Sequence, residues 1–229
     1  MAGSLTAAPE AGLTAHWNAK YASDETGTSF SWTQTDSMRS MDLVEAELSR
    51  ADAAGAAQSV LDVGGGMSGL AKGLVRLHSA QGATPVRVAV HDISSQALKG
   101  SAAAMTEHER SMVAFECGNI LEAKLAPASV DVWHDRAAFH FLTEPADQAA
   151  YVRIAGDSVK RGGAVVLAAF DSDGGPLRCS GLPVRRWDAE GLAKAFSEGG
   201  FSLTHTEREV HTTPAGSSQR FVYVVLRKD

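Results

Sequence analysis

The sequence predicts a single α/β domain: a mostly parallel central sheet, helices on both faces and an antiparallel end strand. Three observations lead there. The stretch Gln58-Ser-Val-Leu-Asp-Val-Gly-Gly-Gly-Met-Ser-Gly69 passes from a short β-branched run to a glycine turn, and helical spacing follows over Leu70–Leu77. Downstream, strand-length apolar runs alternate with helix-length segments, as in βα units. The chain then closes on Phe201–His211 and Phe221–Leu226, joined by the turn Pro214-Ala-Gly-Ser-Ser218, which reads as a terminal hairpin.

With 229 residues and 44% hydrophobic content, the chain can bury one good-sized core. Residues 1–15 read as a flexible tail, 16–57 as a lid and helix, and 58–229 as the core domain. The formal charge of -6 argues against an extended nucleic-acid surface, because phosphate binding needs a concentrated positive stripe. Cys117 and Cys179 are too few for a disulfide framework and lack metal-ligand spacing, so no metal is expected and a reducing, cytoplasmic setting is the default. No apolar run has the length of a membrane span, and the N-terminus lacks the basic region of a secretory signal.

In chain order, Trp17, Tyr21 and Trp32 place three large aromatics in an otherwise polar segment. They read either as a cap over the open end of the core or as a lid. Met38–Arg50 has the spacing of a helix with Met41, Val44 and Leu48 on one face. After the first strand, Gly64, Gly65 and Gly66 let the backbone approach a ligand, and the free N–H groups at the next helix start favour an anion or polar group. Gly64, Gly66 and Gly69 fit the dinucleotide pattern G-x-G-x-x-G, so a dinucleotide stays open at this point.

The second strand, Val86–His91, closes on Asp92, 23 residues beyond Gly69, near the roughly 20 expected of a ribose-binding acid. The alternative is that Asp92 caps the helix that Ile93-Ser-Ser-Gln96 begins and Ser95–Glu107 continues. The third strand, Met112–Glu116, ends in Cys117-Gly118-Asn119-Ile120. The fourth, Val130–Asp135, runs into Arg136-Ala-Ala-Phe-His-Phe-Leu142. Ligands of open α/β sheets sit outside the carboxyl ends of the strands, so His134, Asp135 and Arg136 should face the cleft. His134, Asp135 and His140 are therefore candidates for orienting a substrate or removing a proton; the alternative for Asp135 is an internal pairing with Arg136 or His134. A helix over Asp147–Lys160, the turn Arg161-Gly-Gly163 and a fifth strand over Ala164–Phe170 follow. The connection Asp171–Pro183 is long, as binding loops are. Arg136, Cys179 and Arg186 are candidate acceptor contacts, the alternatives being an inert thiol and a solvated arginine. Asp188–Ser197 supplies the last helix.

Asp62-Val-Gly64-Gly-Gly66 resembles the first motif of the class I S-adenosylmethionine (SAM) methyltransferases. The resemblance implies a Rossmann-like sheet of order 3-2-1-4-5-7-6 and a glycine loop that holds the methionine part of SAM. Asp62 then suits the cofactor's ammonium; it would be badly placed against a pyrophosphate. Asp92 with Ile93 would hold the ribose, and Gly118, Asn119 and Ile120 the adenine, Asn119 standing where the family usually has Asp. Trp17, Tyr21 and Trp32 look like the N-terminal cover of several small methyltransferases. The stretch Trp133-His-Asp-Arg-Ala-Ala-Phe-His-Phe-Leu142 is similar to a bacterial branch of the family, with likeness to thiol and thiopurine enzymes in its Asp-Arg pair and less to protein-lysine methyltransferases. The resemblance implies methyl transfer from SAM, leaving S-adenosylhomocysteine (SAH); the aromatic N-terminal segment and the Cys179 loop, which would enclose a pocket, point to a small-molecule acceptor. A protein lysine is the alternative, and an NAD-binding oxidoreductase or a silent SAM-binding module are remoter ones.

Overall fold

The computed structural model describes residues 10–24, 26–33, 38–51, 58–81 and 85–229. Two helices, α1 (Glu10–Ala22) and α2 (Met38–Ala51), precede strand β1 (Gln58–Val63). Then come α3 (Leu70–Gln81), β2 (Val86–Asp92), α4 (Ser95–Ala103), α5 (Glu107–Ser111) and β3 (Val113–Cys117). The second half holds β4 (Val130–Arg136), α6 (Pro145–Ser158), β5 (Val159–Phe170), a two-rung hairpin of β6 (Arg178–Cys179) and β7 (Leu182–Pro183), α7 (Ala189–Ser197), β8 (Phe201–Thr212) and β9 (Ser218–Lys228).

The main sheet has seven strands in the order β3-β2-β1-β4-β5-β9-β8. Since β6 and β7 form a separate sheet, this is the expected order 3-2-1-4-5-7-6. Strands β1 to β5 pair in parallel, and β9 joins β5 and β8 antiparallel. Central strands are apolar on both faces because both faces are covered: Val60, Val88 and Val132 pack toward α2, α3 and α4, while Leu61, Trp133 and Leu167 pack toward α6 and α7. On β4 the two sets alternate from Val132 to Trp133, as in a pleated strand, while Val130, ahead of a register irregularity, joins the Trp133 set. The β1–β4 register sets Asp62 beside His134 and Val63 beside Asp135.

Several boundaries differ from the sequence reading. Of the tail expected over 1–15, residues 1–9 lie outside the described residues, and 10–15 are already helical in α1. The lid-to-core boundary expected at 57 also lies outside the described residues. Helix α3 runs on to Gln81, past the Leu77 of the sequence reading, and the glycine turn ahead of it continues through Gly69. The helix expected over Ser95–Glu107 is two helices: Thr106 stops the chain and caps α5 in a reciprocal capping box with Glu109. Strand β5 begins at Val159, ahead of the turn at Gly162, whose φ of 73° only glycine adopts without cost.

Candidate active site

At the carboxyl ends of β1, β2 and β4 lie two adjoining cavities that share Tyr21, Trp32, Gly64 and Arg136 in their walls. One reaches from Asp92, Ile93 and Asn119 to Trp17, Phe141 and Cys179. The other lies over the glycine turn, between Asp62, Ser68 and His134. The turn is built for close approach. Gly64 has φ 63°, and a Cβ there would stand 2.6 Å from the Cβ of Ala138. Gly66 has φ 50°, and its Cβ would strike the Tyr21 hydroxyl, so the turn and the N-terminal cover touch directly at this point.

Three acids stand at or behind this turn. Asp62 is buried, its Oδ1 2.7 Å from His134 Nδ1 and its Oδ2 accepting from Ser68 Oγ at 3.1 Å. The other ring nitrogen of His134 lies 2.9 Å from Ser40 Oγ on α2, so the imidazole bridges the loop acid to the helix. Asp92 lines the first cavity and accepts from the Ser94 N–H at 2.7 Å and from the Gly66 N–H. Burial pushes its carboxyl up to about 6 against those bonds. Ser94, in turn, caps α4 and lies 2.9 Å from Asn18 Oδ1, tying α1 to the loop after Asp92.

Asp135 stands on the other side of the sheet. It lines neither cavity and is fully buried, accepting from the N–H groups of Ala138 and Phe139 at 2.8 and 2.9 Å and from the Tyr151 hydroxyl at 2.5 Å. Burial raises its carboxyl to about 6. The expectation that Asp135 faces the cleft is corrected by strand alternation: His134 and Arg136 point one way, Trp133 and Asp135 the other. Neither expected pairing holds, since Asp135 forms no ion pair with Arg136 or His134. His140 is also fully buried and off both cavities, packed against Phe141 and Phe170 with neither ring nitrogen hydrogen-bonded. Burial, with the nearby Arg136 charge, holds its imidazole down to about 3. Neither side chain can reach a molecule in the cleft.

Of the remaining sequence candidates, Trp17, Tyr21, Trp32, Gly64, Asp92, Ile93, Gly118, Asn119, Ile120, Arg136 and Cys179 line the first cavity, and Asp62, Gly65 and His134 the second. Asn119 spends its side-chain oxygen on the Leu121 N–H at 3.0 Å, capping a short 3₁₀ turn. Cys179 is buried, which lifts its thiol to about 11 and keeps it neutral. Arg186 lines neither cavity; its Nη1 donates within its own loop to the Gly175 carbonyl at 3.3 Å. Sequence reasoning missed Ser40, Ser68, Asn18 and Tyr223, all short- or long-range partners of the loop residues. Among the described residues no group of three or more His, Cys, Asp or Glu could hold a metal ion, and no helix is long and apolar enough to cross a membrane.

A family model described as a methyltransferase domain matches residues 61–167, from β1 through most of β5. No curated protein matches the chain. Among solved structures, the chain is similar to 1,6-didemethyltoxoflavin-N1-methyltransferase from Burkholderia thailandensis with bound 1,6-didemethyltoxoflavin and SAH, at 18% identity and TM-score 0.70, covering 99% of this chain and 94% of that one. It is similar to a SAM-dependent methyltransferase from Methanosarcina mazei at 13% identity and TM-score 0.61, covering 74% and 92% of the two chains. A third is phosphoethanolamine N-methyltransferase 2 from Haemonchus contortus, in complex with phosphomonomethylethanolamine and SAH, at 16% identity and TM-score 0.59, covering 82% and 52%. At these identities the likeness is one of fold. Residues 61–167 thus match a methyltransferase domain, and the strand order around them is that of the Rossmann-like methyltransferase fold.

Proposed function

We propose that this chain moves the methyl group of SAM to a small-molecule nucleophile enclosed beneath its N-terminal aromatic cover. The observation that carries this reading is the division of the cleft into two chemically different ends. Toward Asp92 and Asn119 it offers a buried carboxylate and a polar strand end; toward Trp17, Phe141 and Cys179 it is apolar and roofed. The residues suit an amino-acid-bearing nucleoside. Asp92 supplies an acceptor for ribose hydroxyls, Ile93 and Ile120 supply apolar faces for a base, and Asp62 supplies a carboxylate for an ammonium above the glycine turn.

SAM brings a methyl group already activated by its sulfonium. What this chain's residues add is position: Tyr21, Trp32 and Arg136 stand where the two cavities meet. Holding reactants at near-attack distance is worth up to about 7–11 kcal/mol in well-oriented systems. His134 holds the Asp62 carboxylate in place, and Asp135 and His140 take no part in proton transfer.

A protein lysine as acceptor would call for an acidic channel that admits an ammonium. The only carboxylates among the described cavity-lining residues are Asp92 and Asp62, at the cofactor end, and the acceptor end carries Arg136 instead. The test is calorimetric titration with SAM, SAH and NAD, followed by incubation of labelled SAM with protein and a cell lysate. The reading predicts binding of SAM and SAH, none of NAD, and label in the small-molecule extract. NAD binding in place of SAH, or label confined to protein, would overturn it.

A further inference from the structure

One charged group at the acceptor end is left with a free hydrogen-bonding edge. Arg136 lines both cavities. Its Nε donates to the Tyr223 hydroxyl at 3.1 Å, its Nη1 to the Trp32 carbonyl at 3.2 Å, and its Cζ lies 4.6 Å from the centroid of the Phe221 ring. These contacts hold the guanidinium plane in one orientation. The remaining nitrogen, Nη2, is buried and has no acceptor. Among the described residues, no carboxylate comes within ion-pair distance of Arg136. The guanidinium charge therefore stands in this wall without a counter-ion among the described residues. A buried donor left unpaired is destabilising, and an incoming acceptor atom would recover that loss.

The walls around it are flat. Trp17 meets Trp32 and Phe141 edge to face, with centroids 5.8 and 5.3 Å apart, and Cys179 contributes a neutral thiol. Rigid aromatic walls select planar, conjugated molecules, and a single cation fixed at their edge selects one that carries negative charge in the plane of that system.

We infer that the methyl acceptor is a flat, conjugated small molecule bearing an anionic oxygen, a carboxylate or an enolate, which pairs with the unpartnered Nη2 of Arg136 while its ring lies against Trp17 and Phe141. This rests on the methyltransferase reading above for the division of the cleft into cofactor and acceptor ends. The competing role for Arg136 is to hold the cofactor's own carboxylate, and the two roles separate cleanly by experiment.

The experiment is calorimetric titration of the SAH-loaded protein with one-, two- and three-ring aromatic acids, each paired with its neutral primary amide. The inference predicts that at least one acid binds about tenfold or more tightly than its amide, the scale of one charge-assisted contact. In Arg136→Met that preference disappears while SAH affinity is unchanged, and in Trp17→Ala acid and amide weaken together. No acid exceeding its amide would overturn the inference on the unaltered protein alone, whether or not the variants fold. A loss of SAH affinity in folded Arg136→Met would also overturn it, by assigning the guanidinium to the cofactor. Failure of the unaltered protein to bind SAH at all is a different outcome and refutes the methyltransferase reading itself.

Discussion

Asp135→Asn tests whether this carboxylate serves structure or chemistry. Its oxygens accept from two backbone N–H groups and from the Tyr151 hydroxyl, and that hydroxyl accepts from Trp133 Nε1 at 2.8 Å. Asparagine keeps an oxygen for the backbone donors but turns an NH2 group toward Tyr151, stranding the phenol proton at a cost of about 1–3 kcal/mol. The charge effect runs the other way. Burial lifts the Asp135 carboxyl to about 6 from an ordinary 3.8, so between those values the folded state holds a proton that the unfolded state has lost. Stability from this group is therefore full at low pH and lost as pH rises through about 6. At about 1.4 kcal/mol per pH unit the loss amounts to about 3 kcal/mol. Relative to the natural protein, Asp135→Asn should be less stable by about 1–3 kcal/mol near pH 4 and level or more stable at pH 7. Buried imidazoles such as His140, held down to about 3, push stability the opposite way over the same range, so the difference between the two proteins is the quantity to measure. Urea unfolding of both from pH 4 to 7 gives it, and SAH titration at pH 7 reads the site. A difference that does not change with pH would refute the placement of the charge, and a folded variant that no longer binds SAH would refute the placement of Asp135 behind the site.

Asp92→Asn should weaken SAH binding about tenfold to a hundredfold in calorimetry, the worth of charge-assisted bonds to two hydroxyls. Because the Asp92 carboxyl titrates near 6, SAH affinity of the natural protein should fall as pH is lowered through that value, and a flat profile would speak against the ribose role. Gly64→Ala places a methyl group 2.6 Å from Ala138 Cβ at a left-handed φ of 63°; strain of about 1–2 kcal/mol plus overpacking of about 1–3 kcal/mol should appear as lost stability in urea unfolding. With a thiol reagent near pH 8, exposed Cys117 should react quickly and Cys179, buried with its thiol up at about 11, slowly, so two equal rates would contradict the enclosed acceptor end.

The strands were legible because each parallel strand announces itself as an apolar run ending in a polar or glycine residue, and the antiparallel pair closes on a turn-rich segment; their order in the sheet came from the resemblance of Asp62-Val-Gly64-Gly-Gly66 to the methyltransferase motif. The place of Asp92, at the end of β2 in the wall of the cleft, was legible from its distance to the glycine turn. What failed at Asp135 and His140 was treating a cluster at a strand end as one surface. The alternation of a pleated strand, already visible in Trp133-His-Asp-Arg136, puts His134 and Arg136 on one face and Asp135 on the other. The break between α4 and α5 also had a signal, the capping pattern Thr106-x-x-Glu109. Ser40 and Tyr223 carried none: they lie 94 and 87 residues from the side chains they contact, and only the packing of α2 and β9 brings them there. Arg186 was drawn in by proximity in sequence to a long loop, whereas its guanidinium is spent on that loop's own backbone.

A crystal structure of the protein grown with SAH puts the whole account at risk in one measurement. The account predicts ribose hydroxyls on the Asp92 carboxylate, the base between Ile93 and Ile120 near Asn119, the ammonium toward Asp62, and the space between Trp17, Phe141 and Arg136 left open for an acceptor. Density for SAH away from the glycine turn, or filling the space beneath Trp17, would contradict it.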